Sequence, residues 1–344
     1  MNDSHHLRTK CKERMNWIDW VKAICLTGVV IIHLPQQDNS FYVQYLGAVI
    51  LSPFFFVSGY MKRETASTKA TVRKYGYSLL IPYIIYNVLY YPYWLVKFYV
   101  EHHGAIGLED CLKPVIGTIL LQLNSSFSSE LNGVTWFLIA LFAMHWLTDV
   151  CSRQKHGPAI MAALAVGCMV LYGANKYYHY APYLTYHGFV RCICFYLMGY
   201  LFRKRNWLKA PAIKKDGTIG LIALCLSIVT FYWHIHEERF ILHILLFYLV
   251  NTLAVLGIIH LCRALDGLHS NIVTWISMGT LVIFGLHRIL IGCMNFGLER
   301  LLKTGDIGYS WYESTLLAVA IDMLLLPVII YAIKSNSVLL CRRK

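Results

Sequence analysis

Hydrophobic runs about as long as a bilayer is thick recur along this 344-residue chain. A hydrocarbon layer of roughly 30 Å takes about 20 helical residues to cross. Runs of that kind fall at 17–34, 41–61, 77–99, 134–150, 158–174, 187–202, 216–233, 240–262, 271–294 and 313–333. In lipid only helices and closed barrels satisfy their own backbone groups, and the alternation over roughly ten-residue segments that a barrel requires is missing. The chain is 57% hydrophobic and 14% charged, against about a quarter charged in soluble domains. The expected fold is all-α, a polytopic transmembrane helical bundle of about ten spans. Residues 1–344 read as one integral membrane domain, with a cytoplasmic N-terminal segment 1–16 and a cytoplasmic tail 334–344.

The net charge of +13 raises the question of nucleic acid, and its distribution argues against it. With the N-terminus inside, the inner segments carry 22 of the 31 Lys and Arg and the outer segments 5. That bias is the signature of cytoplasmic loops, so both termini are expected in the cytoplasm. Attraction to anionic lipid headgroups follows as a by-product. Of the eleven cysteines only Cys111 falls on the outer side. No disulfide framework or Cys-x-x-Cys metal pattern is present, and Cys192 and Cys194 read as packing residues. The basic start and first apolar run lack a small-residue cleavage site, which reads as an uncleaved signal anchor.

The first span carries Asp19, Lys22 and His33. At about 100° per residue they share one stripe roughly 60° wide, and Lys22 and His33 lie roughly 16 Å apart along the axis. Ionisable residues inside a span are expensive and mark functional sites by default. Pro35 ends the helix just beyond His33. By span direction His33, His187, Arg191, His287 and Arg288 all belong to the outer half. They are expected to converge on one cavity, the alternative being that the arginines snorkel to the headgroups. Asp322 sits near mid-depth of the last span and is expected to find a cationic partner.

Other features are local. Ser58-Gly59 permits close approach of another helix. Pro82 predicts a kink or a broken first turn, and 114–123, apolar but too short to span, reads as re-entrant or interfacial. Trp136 opens the fourth span as an acceptor contact or an interfacial aromatic. His102-His103 and the His234 to Glu238 stretch read as loop residues, and no metal site is expected. No internal repeat is visible.

Four elements in order resemble the acyltransferase-3 family of integral membrane proteins, especially its fucose 4-O-acetylase-like members. They are Lys22 with His33; the end of span two at Phe55, Phe56, Ser58, Gly59 and Tyr60; Arg73-Lys74 before Leu80 to Tyr83, with Trp136-Phe137-Leu138 opening span four; and Gly279 to His287. Two features depart from the family pattern. Lys22 stands where the family has arginine and lacks the bidentate fork, and Arg73-Lys74 replaces an Arg-x-x-Arg pattern.

The resemblance implies transfer of an acyl group, usually acetyl, from cytoplasmic acyl-CoA to a sugar hydroxyl of a surface polysaccharide or its lipid-linked precursor. It also implies a bacterial inner membrane. No cofactor is bound permanently; acetyl-CoA is the donor substrate. Acyl transfer needs a base and an oxyanion partner. His33 is the candidate base or covalent acyl carrier, with Lys22 and Asp19 beside it on the catalytic stripe. Arg191, Arg288, His287, His187, Trp136 and Ser58 are candidate acceptor contacts. Lys22, Arg63, Arg73 and Lys74 are candidates for the CoA phosphates, Lys22 alternatively pairing with Asp19. The stripe then reads as two stations, an inner one for the donor and an outer one for the sugar. The alternative is a transporter or flippase, and against it Pro82 and Pro327 do not form the matched breaks expected of two related halves.

Overall fold

The computed structural model describes residues 14–120, 131–178, 184–208, 210–302 and 307–335. The helices are α1 (Asn16–His33), α2 (Phe41–Val49), α3 (Leu51–Tyr60), α4 (Thr68–Tyr75), α5 (Ile81–Glu101), α6 (Leu108–Ile119), α7 (Trp136–Ser152) and α8 (Gly157–Tyr177). They continue as α9 (Leu184–Lys204), α10 (Ile213–His236), α11 (Phe240–Ala264), α12 (Asn271–Met278), α13 (Thr280–Leu302) and α14 (Trp311–Lys334). Among the described residues, nine segments are long and apolar enough to cross a membrane, with α2 and α3 counted as one.

Helix α9 is outside that set, but its packing makes it a tenth crossing. Arg191 donates to the Gly47 and Ala48 carbonyls at 3.3 and 2.7 Å, and Arg203 lies 5.3 Å from the Tyr60 ring centre. Ala48 to Tyr60 and Arg191 to Arg203 are equal intervals, roughly 18 Å of helix each. So α9 runs parallel to the second crossing over most of its depth. Among the described residues, ten crossings bring the start of α1 and the end of α14 to one side, called here the basic face.

Two crossings are broken. Pro53 has no N–H, so the Val49 carbonyl loses its helical donor, and the helix interrupts at Ile50. Arg191 takes up the two carbonyls that precede that of Val49, those of Gly47 and Ala48. The ninth crossing breaks at Gly279, where an added Cβ would press into the Ile329 side chain. Pro82 gives the broken first turn expected of it, whereas Pro327 interrupts nothing. Pro82 sits in the first turn of α5 after a π-helical turn at Gly76–Leu80, and α5 and α14 run on through Pro92 and Pro327.

Glycines set the closest contact. A Cβ on Gly59 would run into the Tyr196 carbonyl, and one on Gly199 into the Phe56 carbonyl. The backbones of α3 and α9 therefore touch, as small residues allow in membranes. Helix α6 packs along α5: Tyr91 donates to the Cys111 carbonyl at 3.0 Å and Tyr83 to that of Thr118 at 2.8 Å. It runs antiparallel to α5 and starts earlier than 114; residues 121–123 lie outside the described residues. Near the basic face Asp216 accepts from Arg263 Nε at 3.1 Å and pairs with His260 at 2.5 Å, tying α10 to α11.

Candidate active site

His33 ends α1 at the face opposite the basic one. Its Nδ1 lies 2.7 Å from the Val29 carbonyl. A carbonyl only accepts, so Nδ1 carries the proton and Nε2 of the neutral ring is left with its lone pair. His287 on α13 repeats the arrangement, with Nδ1 2.7 Å from the Ile283 carbonyl. It is fully buried and its Nε2 has no hydrogen-bond partner. The two rings meet edge to face at 5.1 Å. Two helices therefore present two imidazoles with the same tautomer to one spot. Arg288 is exposed beside them and within electrostatic reach of both rings and of Tyr90 and Tyr93 on α5. This sets a ring-nitrogen lone pair, a second imidazole and a cation close together.

The other end of the first helix is built differently. Asp19 accepts from Arg14 at 2.5 and 3.0 Å and from the Ser277 hydroxyl at 2.6 Å. Both oxygens are committed, so it fastens α1 to α12, roughly 21 Å of helix from His33. Lys22 is half-buried between these two levels. Asp322, expected beside a cation, instead accepts from the Thr27 hydroxyl at 2.6 Å, and its other oxygen is buried without a partner.

The expected convergence of five outer groups is not met; the structure divides them. Arg191 is occupied by the α2 carbonyls and the Phe247 ring, and acts electrostatically on His187. Arg288, not Arg191, serves the His33 pair. Trp136 stands against Gly188, where a Cβ would enter its ring, and stacks on Phe55 at 6.2 Å. Ser58 lies toward the basic face and its hydroxyl donates to the Phe54 carbonyl of its own helix at 2.9 Å.

Arg63, Arg73 and Lys74 are exposed at the basic face. Arg63 acts electrostatically on Lys74, which lies 4.8 Å from the Tyr75 ring centre. Behind them is a group missed in the sequence. Lys62 is buried 3.7 Å from Asp149, which also accepts from Arg153 Nε at 2.8 Å. Burial pushes the Lys62 ammonium below the ordinary lysine range, with Asp149 pulling it back up. His145 stacks on Tyr75 at 3.7 Å and shares a 2.7 Å hydrogen bond with the Tyr196 hydroxyl. Asp149 and His145 lie inside the fourth hydrophobic run, and the rule that singled out Asp19 applies equally to them. Asp149→Ala strands a buried lysine and is expected to cost about 3–5 kcal/mol, read as a lower melting temperature in detergent. The double variant Lys62→Met/Asp149→Leu should recover most of that loss.

The bundle is that of a multi-pass membrane protein, and it sets two imidazoles beside an arginine at one face. The acyltransferase domain family matches residues 15–333, so the chain belongs to the acyltransferase-3 family and is an integral membrane acyltransferase. Neither the curated proteins nor the solved structures give a match.

Proposed function

We propose that the protein moves an acetyl group from acetyl-CoA, met at the basic, cytoplasmic face, to a sugar hydroxyl of a surface polysaccharide or its lipid-linked precursor in a bacterial inner membrane. The observation that carries this reading is the Nδ1 anchoring of His33, which leaves Nε2 beside His287 and Arg288. Nε2 of His33 takes the hydroxyl proton as the sugar oxygen attacks the thioester carbonyl. Arg288 faces the oxyanion, and the proton passes to the departing CoA thiolate. His287 holds the acceptor hydroxyl through its own Nε2. An acetyl-imidazole on His33 is the covalent variant of the same scheme; it would appear as a burst of CoA release without acceptor.

At the basic face, Arg63, Arg73 and Lys74 meet the CoA phosphates, with Lys22 between them and the imidazoles. Asp19 acts by fixing α1. Charge-neutral variants of Arg63 and Lys74 are expected to raise the acetyl-CoA KM about tenfold each, the equivalent of about 1.4 kcal/mol, with kcat little changed. Unchanged KM in both would move the donor site elsewhere.

A second reading, a glycan transporter, draws on the breaks at Ile50 and Gly279 in crossings that enter from opposite faces, since broken helices mark transporter sites. Deletion separates the two readings: loss of acetyl per sugar with export intact supports the enzyme, and loss of export at constant acetylation supports the transporter.

A further inference from the structure

The Arg191 group, set apart from the His33 pair, has chemistry of its own. Asn175 and Lys176 lie in the last turn of α8, His234 in the last turn of α10, and His187 and Arg191 follow the start of α9. They therefore gather in the half of the bundle opposite the basic face, with Arg191 about two turns inside α9. Arg191 acts electrostatically on His187, His234 and Tyr248, and Lys176 acts on His187 and His234. The aromatic floor is continuous: Tyr172 lies 5.5 Å from His187 and 5.9 Å from Tyr248.

Three buried atoms here have no hydrogen-bond partner: Arg191 Nε, Asn175 Nδ2 and the Tyr248 hydroxyl. Tyr248 is 6% exposed. Two of the atoms only donate, and the hydroxyl is free to. Buried polar groups are ordinarily paired, and each one left unmade costs about 1–3 kcal/mol. Neither Arg191 nor Lys176 forms an ion pair among the described residues. Glu237, in the loop between α10 and α11, is taken by Arg239 at 2.8 and 3.0 Å. Among the described residues this group thus gathers three unpaired donors and two cations, with no carboxylate paired to either cation. The missing partner is an oxyanion, and at this depth it arrives on an amphiphile.

We propose that the ends of α8 and α10 and the starts of α9 and α11, which meet on the face opposite the basic one, bind the phosphate of an anionic amphiphile from the adjoining leaflet, separately from the His33 pair. A phospholipid headgroup and the phosphate of a lipid-linked glycan share this chemistry. The inference does not depend on the acetyl-transfer reading.

The test uses full-length protein in neutral detergent, followed by native mass spectrometry and thermal melting. Four probes are titrated: phosphatidylglycerol, a polyprenyl phosphate, inorganic phosphate and diacylglycerol. The two lipid phosphates are expected to bind and raise the melting temperature, and the tighter of them names the source. Tyr248→Phe and Lys176→Gln should each weaken that binding about tenfold. Because the Tyr248 hydroxyl has no partner, Tyr248→Phe should melt no lower than the parent without lipid, which separates lost binding from misfolding. Equal stabilisation by diacylglycerol, equal affinity for inorganic phosphate, or unchanged lipid affinity in both variants overturns the proposal.

Discussion

The His33→Ala variant is expected to lose acetyl transfer by about 10²–10⁴-fold, the usual contribution of a positioned general base, while inserting and melting like the parent. The second half of that expectation comes from geometry. His33 ends its helix, bonds only to the carbonyl four residues earlier, and is half-buried, so its removal leaves no buried partner stranded. His33→Gln should be equally inactive, because an amide cannot accept a proton at neutral pH. If His33 and His287 work as one unit, the double variant His33→Ala/His287→Ala will be little worse than His33→Ala, since groups acting together are strongly non-additive. Detergent-solubilised enzyme with acetyl-CoA and a glycan acceptor, read as CoA release, checks this. Near-parental turnover by folded His33→Ala would remove the histidine from the chemistry.

Gly199→Ala should do to the fold what His33→Ala does to the reaction. The added methyl would occupy the position of the Phe56 carbonyl, and backbone on both sides leaves no flexible group to yield. The α3–α9 contact has to open, and α9 carries Arg191, Cys192, Tyr196 and Arg203 away with it. A loss on the order of 4 kcal/mol is expected, in the range reserved for named structural failures. It should appear as a large drop in melting temperature and in the monodisperse fraction after extraction. Gly167→Ala on α8, where the methyl meets nothing within 4 Å, is the matched control and should be neutral. Similar melting of the two variants would mean that α3 and α9 do not touch as described.

Much of the architecture is written in run length. Each of the ten hydrophobic runs corresponds to a helix or helix pair, because bilayer thickness imposes a length that a linear sequence displays directly. The breaks were less legible. Pro53 interrupts its helix three residues upstream, and the group that holds the nearby Gly47 and Ala48 carbonyls is an arginine on α9, 138 residues away. The same distance explains the reading of Arg191. Depth placed it level with His33, but depth is one coordinate, and only packing decides which way a side chain faces. His33 and His287 shared a level and also a place; Arg191 and His187 shared the level alone. Asp19 was visible as an ionisable residue in a span, while its partners Arg14 and Ser277 needed the fold. The Lys62–Asp149 pair was accessible to the same reasoning and was missed, since Lys62 blends into a basic loop until Asp149 is set beside it.

The most direct test of the central claim is the number of ester-linked acetyl groups per sugar on purified surface glycan, measured by NMR. It compares cells lacking this gene, cells restored with the parent chain, and cells restored with His33→Ala at equal membrane abundance. Acetyl transfer through His33 predicts acetylation in the parent-restored cells only, with the His33→Ala cells matching the deletion. Acetylation restored to the parental level by His33→Ala would contradict it.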